Sequence, residues 1–460
     1  MFGIHGLRIG IAAGRGGRRG YATATVVLSA ARAAKYVLVS TLLASGVFAY
    51  DRFAAPAPPL SPLATDAHGE PVLLQSASHQ YVHRTLTAYA RVWRHETKER
   101  PSPVEIHSTC VASNDPIEDR HTVAALGPTL ILGVHDGHSG WQCADTLANV
   151  FHNYIGRHLT TTAGRDGVSG VARAMVAAYD EFDTNLMALP DQVQKLGNAV
   201  SVERKREMVL PGMVGAVSIS AVVDGKQVTV AHAGDCRAVI GRRRSTTTGD
   251  WESISLTEDH DVHNPSEVVR VQGEHPGEVP ISRGRILGRL APFRACGDGR
   301  YKWSVAIHEW LAELFDGAEG KFKYRTMPKN YLTPPYVTAH PDIATHDLAE
   351  EDEFMVIACD GLWERVSAAD VVSMVGAYVD GPDQVSDRWA QSDRHAAAHV
   401  IRNAIGGKDT EQVASTLRVP APLARSIRDD LTVVVVFFRP ISDRGLGNSP
   451  LAPTAYALRW

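Results

Sequence analysis

The stretch ILGVHDGHSG at residues 131–140 runs from apolar, strand-forming residues into His135, Asp136, Gly137 and His138. A carboxylate at the end of a buried strand, followed by glycine and imidazole, suits a metal or phosphate site, and equally a turn. The interruption recurs elsewhere in the chain. Asp360 follows FMVIAC, Asp429 and Asp430 stand directly before LTVVVVFF, and Glu118 with Asp119 lies in PIEDR, upstream of the first of these strands. Taken singly, each acid reads as a turn or cap residue. Burying an unpaired carboxylate is costly, so several acids at strand ends call for a shared cation or a set of donors.

Carboxylates with a backbone carbonyl, and no compact His or Cys cluster, are hard oxygen ligands suited to Mg²⁺ or Mn²⁺ rather than zinc. Two such ions, about 3.5 to 4 Å apart and bridged by one aspartate, lower the pKa of a shared water and clamp the oxygens of an in-line phosphoryl displacement. Gly137 fits beside a bridging Asp136, because a residue without Cβ lets its carbonyl approach an ion. Other motifs carry less. HDVH at 260–263 reads as a polar turn, RRRS at 242–245 as a solvated loop, and GHSG lacks the last glycine of a nucleophile elbow because Trp141 stands there.

Strands are expected at TLILGVH, VSISAVV, QVTVAHAG, FMVIACD and LTVVVVFF, where β-branched apolar residues run together. Asp224-Gly225 between two of them signals a hairpin, hence antiparallel neighbours. Helical spacing appears in CADTLANVFHNYIGRHL, VARAMVAAYDEFDTNLMAL, AADVVSMVGAYV and HAAAHVIRNAIGG, the last closed by Gly406 and Gly407. Strands apolar on both faces need cover on both sides. The expected fold class is therefore α+β, two stacked antiparallel β-sheets flanked by α-helices.

The chain has 460 residues and a formal net charge of −4, which sets a nucleic-acid partner aside. Cys110, Cys143, Cys236, Cys296 and Cys359 are scattered without a C-x-x-C pair, so neither a disulfide framework nor a zinc ribbon is expected. The first 50 residues contain no Asp or Glu but carry Arg8, Arg15, Arg18, Arg19, Arg32 and Lys35, the composition of a mitochondrial presequence. Tyr36 to Tyr50 is uncharged and apolar, and is read either as an inner-membrane anchor or as presequence that is removed. The expected organisation is presequence over 1–50, a Pro/Ala-rich linker over 51–79, a catalytic domain over 80–440 and a tail over 441–460.

PIEDR, GVHDGHSG, AHAGDCRAVIG, LTEDHDVHN, ACDGLWE and RDDLTVVVV, in that order, resemble the signature of metal-dependent serine/threonine protein phosphatases of type 2C, over roughly residues 80–438. APFRACGDGRYKW, TPPYVTAHP and NDPIEDR are most similar to the mitochondrial pyruvate dehydrogenase phosphatase branch. The resemblance implies that Asp136 bridges two Mg²⁺ or Mn²⁺ ions. Gly137 and Glu118 would serve one ion, Asp360 and Asp429 the other, with Asp119 holding metal-bound waters. It implies His138 as general acid, and Asp235 and Glu364, with Asp360, as a weaker third metal site. The branch also places Asn114 where most of the class grips the substrate phosphate with arginine. An amide is a neutral donor rather than a cationic fork, so phosphate binding leans more on the metals.

The function this implies is hydrolysis of phosphoserine or phosphothreonine in a protein substrate, in one step, by a hydroxide bridging the two ions. If the N-terminal segment is removed, the enzyme is a matrix phosphatase and the pyruvate dehydrogenase complex is its expected partner. If Tyr36 to Tyr50 stays as an anchor, the domain faces the intermembrane space and needs another substrate. A catalytically inactive phosphoprotein-binding module is the remaining reading, and the presence of Glu118, Asp136, Asp360 and Asp429 argues against it. His135, by strand alternation, should point away from Asp136 and be structural.

Overall fold

A computed structural model of the chain describes residues 74–96, 104–160, 168–245, 250–316, 327–381, 389–390, 393–421 and 423–441. The expected presequence, the anchor at Tyr36 to Tyr50 and most of the linker and tail lie outside the described residues. Among the described residues, no helix is long and apolar enough to cross a membrane.

Two antiparallel sheets form the centre. One runs in the order β1 (Arg91–His95), β2 (Val104–Val111), β14 (Leu431–Phe437), β13 (Asp352–Ala358), β7 (Arg237–Arg243) and β8 (Trp251–Ser255). The other runs β12 (Asp342–Asp347), β6 (Gln227–Ala233), β5 (Gly215–Asp224), β4 (Thr129–His138) and β3 (Arg120–Leu126), and β11 (Cys296–Gly297) pairs with β5. A small hairpin, β9 (Ile281–Ser282) and β10 (Arg285–Ile286), stands apart. The five expected strands are all present. The β5–β6 hairpin turns at Gly225, whose φ of 54° only glycine adopts freely, with Asp224 opposite Gln227.

Three apolar layers explain the stacking. Leu132 and Val134 of β4 and Ile219 of β5 meet Ile106 of β2, Met355 and Ile357 of β13 and Val434 and Val436 of β14 between the sheets. The opposite faces of β13 and β14 pack on the helices Leu74–Thr87, Ala368–Asp380, Ala396–Ile405 and Thr410–Arg418. The opposite faces of β4, β5 and β6 pack on Gln142–Thr160 and Val168–Met187. Each fully buried aliphatic side chain contributes roughly 1.5–3 kcal/mol, so central strands without a polar face are stable only when covered on both sides. This is the expected α+β sandwich, and Leu74–Thr87 begins ahead of residue 80.

RRRS is corrected. Arg242 and Arg243 belong to β7 rather than to a solvated loop, and they pair with Asp352 and Asp380 at 2.7 and 2.9 Å. HDVH does form a polar turn at 261–263, but His260 is buried and stacks on His232 with ring centroids 4.4 Å apart.

Candidate metal centre

Asp136 occupies the last turn-facing part of β4, two residues before the strand ends at His138. Asp360 begins the short helix Asp360–Trp363 directly after β13, and Asp429 lies just ahead of β14. The acids are thus delivered by strands of both sheets to one end of the sandwich. Ligating atoms of Asp119, Asp136 and Cys359 lie within 4.8 Å of one another. Asp119 is buried, while Asp136, Asp235, Asp360 and Asp429 are half-buried.

The electrostatics of this group are unfavourable as it stands. Burial drives the Asp136 carboxyl well above the usual carboxylate range, and Asp119, Asp360, Asp235 and Asp429 add to the effect. Asp119 is raised for the same reason, with Asp430 and Asp360 contributing. Burial and then Asp360 push Asp235 up to about 8, and Asp429 is pushed up to about 6 by the same two causes. Glu364, exposed one turn beyond Asp360, is raised by its partial burial and by that neighbour. Oδ2 of Asp119 and Oδ1 of Asp360 are buried without a hydrogen-bond partner. Buried carboxylate oxygens left without a donor fit a cation of the hard, oxygen-seeking type. The Cys359 thiol is engaged otherwise: it donates to Asp430 O at 3.4 Å and accepts from Thr432 N at 3.2 Å. A soft sulfur in an otherwise all-oxygen set does not suit Mg²⁺ or Mn²⁺, so the carboxylates are the fitting donors.

Glu118 and Asp119 are held by a residue that sequence reasoning did not single out. Asp430 accepts from Ser113 N at 2.5 Å, Asn114 N at 2.9 Å, Asn114 Nδ2 at 3.1 Å and Glu118 N at 2.8 Å. One carboxylate therefore pins the whole 113–118 loop to the foot of β14. Asn114, expected at the phosphate, already gives one amide hydrogen to this anchor. A Cβ on Gly137 would lie 2.6 Å from the Glu118 carbonyl, so glycine here lets the acidic loop close against β4. Arg425 pairs with Asp429, and Arg428 donates to Ala112 O at 2.8 Å and to Ser113.

His138 was expected here and is present at the strand end, 2.6 Å from Asp298 through Nε2. Burial, the largest influence, opposes a charge on this imidazole, but Asp298, Asp235 and Glu118 together outweigh it and raise its pKa. Asp298 is a second residue the motif reading missed. Its signal was the CGDG step inside APFRACGDGRYKW, an aspartate between two glycines. His135 points into the structure as expected, bonded to Thr122 at 3.0 Å and Ser218 at 2.8 Å, and burial lowers its pKa to about 3.

The comparisons with known proteins decide the family. The protein phosphatase 2C family model matches residues 108–412. This chain belongs to the protein phosphatase 2C family. It is 30% identical, over 75% of this chain and 79% of the relative, to human mitochondrial pyruvate dehydrogenase (acetyl-transferring) phosphatase 2. It is 32% identical, over 71% of this chain and 79% of the relative, to a protein phosphatase 2C homologue of Schizosaccharomyces pombe. Among solved structures, a serine-threonine phosphatase 2C from Toxoplasma gondii overlaps 76% of this chain and 98% of its own, at 17% identity and a TM-score of 0.47. As a phosphatase 2C, the protein is a metal-dependent serine/threonine protein phosphatase acting on phosphoproteins.

Proposed function

We propose that this phosphatase holds two Mg²⁺ or Mn²⁺ ions at Asp136, with Glu118 and the Gly137 carbonyl toward one and Asp360 and Asp429 toward the other. Asp119 would order water at the centre, and Asp235, Asp360 and Glu364 would offer a weaker third position. The observation that carries this is the group of half-buried and buried carboxylates with partnerless oxygens at Asp119 and Asp360. When bound, the ions supply positive charge against the phosphate and lower the pKa of water.

The chain's own residues do the rest. Asp430 fixes the loop that carries Glu118 and Asp119, so those carboxylates need no reorganisation on substrate binding. Asn114 keeps a second amide hydrogen for a phosphate oxygen once Asp430 has taken the first. His138 stands at the end of β4 to protonate the departing serine or threonine oxygen. The substrate we propose is a mitochondrial phosphoprotein, the pyruvate dehydrogenase complex by likeness to the human relative, with the enzyme in the matrix. Both the presequence composition and that relative's name support it.

The test uses the purified protein with Mn²⁺, a phosphoserine peptide and phosphorylated pyruvate dehydrogenase. Phosphate release from both, abolished in Asp136→Asn and Asp360→Asn, is the expected result; undiminished turnover in either variant sinks the site assignment. Release from the peptide but not from the dehydrogenase removes only the substrate. Protease digestion of the domain in mitochondria with opened outer membranes would place it outside the matrix and favour the anchored form.

A further inference from the structure

Asp298 sits in an unusual frame. Gly297 and Asp298 both have left-handed backbones, with φ of 70° and 55°. Such a conformation is unfavourable for aspartate unless its surroundings fix it. They do: Gly297 N donates to Asp183 at 2.8 Å, and Asp298 N donates to Val214 O at 2.9 Å. Lys302 clamps Asp183 at 2.8 Å while donating to Ala295 O at 2.8 Å. A Cβ on Gly297 would lie 2.3 Å from the Val214 carbonyl, so only glycine permits this close approach.

The bend has one visible product, the direction of a carboxylate. Asp298 stands at the N-cap of the helix Gly299–Lys302, where aspartate ordinarily accepts from the helix's own N–H groups, yet its side chain makes no such bond. It is 3% exposed and reaches His138 Nε2 instead, across 160 positions of sequence. Gly215, opposite His138 on β5, leaves the room: a Cβ there would come within 2.1 Å of His138 Nε2 and 2.3 Å of Asp298 Oδ2.

We infer that Asp298 is the positioning residue of His138: its carboxylate holds the imidazole by Nε2, which makes Nδ1 the nitrogen that delivers a proton to the leaving oxygen. The inference rests on the phosphatase reading above. In the step concerned, a water oxygen bonds to phosphorus while the bond from phosphorus to the serine or threonine oxygen breaks. The electron pair left on that oxygen takes the proton from Nδ1, giving the free hydroxyl and inorganic phosphate. The proton shed by the water restores the imidazole, and nothing is oxidised or reduced. A carboxylate behind the ring fixes its orientation and which nitrogen faces the substrate.

Leaving-group dependence separates this role from a structural one, because nitrophenolate departs without a proton whereas an alkoxide does not. In the full chain with Mn²⁺, Asp298→Asn should lower kcat on a phosphoserine peptide about 10²-fold while p-nitrophenyl phosphate turnover stays within about threefold. In a His138→Ala background, the same change should add nothing. Equal losses on both substrates, or an unaffected peptide rate, would overturn the inference. A wild-type protein inert toward both substrates would instead sink the phosphatase reading itself. Should the asparagine variant not fold, Asp298→Glu carries the same comparison, with the carboxylate displaced by one methylene and the same selective loss expected. Independently, ¹⁵N-histidine spectra of the metal-free protein should show His138, assigned by its disappearance in His138→Ala, with its hydrogen on Nε2. A hydrogen confined to Nδ1 would also overturn it.

Discussion

Two sets of carboxylates in this phosphatase have opposite surroundings. Glu267, 2% exposed on the helix Pro265–Glu274, meets Arg294 at 2.6 Å and Arg270 at 2.7 Å. Burial alone would raise it, but the two guanidiniums outweigh burial and pull it down to about 2. Arg294 passes the charge on to Asp342 at 2.7 Å, and Asp342 receives His260 at 3.1 Å. At the strand ends, Asp119, Asp136, Asp235 and Asp360 lie among one another with Asp429, which alone of them has an arginine, Arg425, as ion-pair partner among the described residues, and the carboxyls of Asp119, Asp136, Asp235 and Asp429 are all pushed up. A matched carboxylate holds the fold together. An unmatched group of them repels itself, the cost that the proposed cations would offset.

The largest test of this contrast is Asp136→Asn. Manganese-dependent turnover of a phosphopeptide should fall about 10³-fold, since the charge stabilisation lost is several kcal/mol. The urea midpoint of the metal-free protein should hold or rise, because a repulsive charge is gone. A midpoint drop like that of a core ion pair would break the comparison. Glu267→Ala should do the reverse, costing about 3–5 kcal/mol in urea unfolding by breaking a buried ion pair and leaving Arg294 with only the exposed Asp342 carboxylate, with kcat per folded molecule little changed.

Metal addition gives an intermediate effect. Mn²⁺ at about a hundredfold over its dissociation constant should raise the unfolding free energy by about 2.7 kcal/mol, reversed by chelator. The increment should vanish in Asp136→Asn and persist in Glu267→Gln. The smallest expected signal is in pH. Glu267 has a folded value near 2, below its ordinary 4.5, so its contribution is complete above 4.5 and fades as pH falls toward about 2. The stability gap between wild type and Glu267→Gln should therefore be flat above pH 4.5 and close below it. A gap that widened in acid would mean that the arginines do not set the state of Glu267.

What the sequence made legible follows from what leaves a local trace. β4, β5, β6, β13 and β14 announce themselves as β-branched runs because both faces are covered. β2, with Glu105 and His107 buried in its first half, does not, since the two polar residues pair with each other at 2.9 Å in a way no hydropathy pattern displays. The acids at strand ends were visible because they break apolar runs. Asp430 looked like a companion of Asp429, and its hold on the 113–118 loop arises from contacts across more than 300 positions. Asp298 was hidden for the same reason, and the arginines of RRRS looked solvated because their partners Asp352 and Asp380 are remote in sequence.

The centre is built across a joint, with Asp136 hanging from one sheet and Asp360 and Asp429 from the other. The spacing between these acids is consequently set by how thickly Leu132, Val134, Met355, Ile357, Val434 and Val436 fill the layer between the sheets. A single methylene gained or lost there alters the gap between the acids without touching one of them. On the proposed ligation, metal affinity is thus an inheritable property of the interior, open to gradual tuning by neutral-looking aliphatic exchanges while every acid stays fixed.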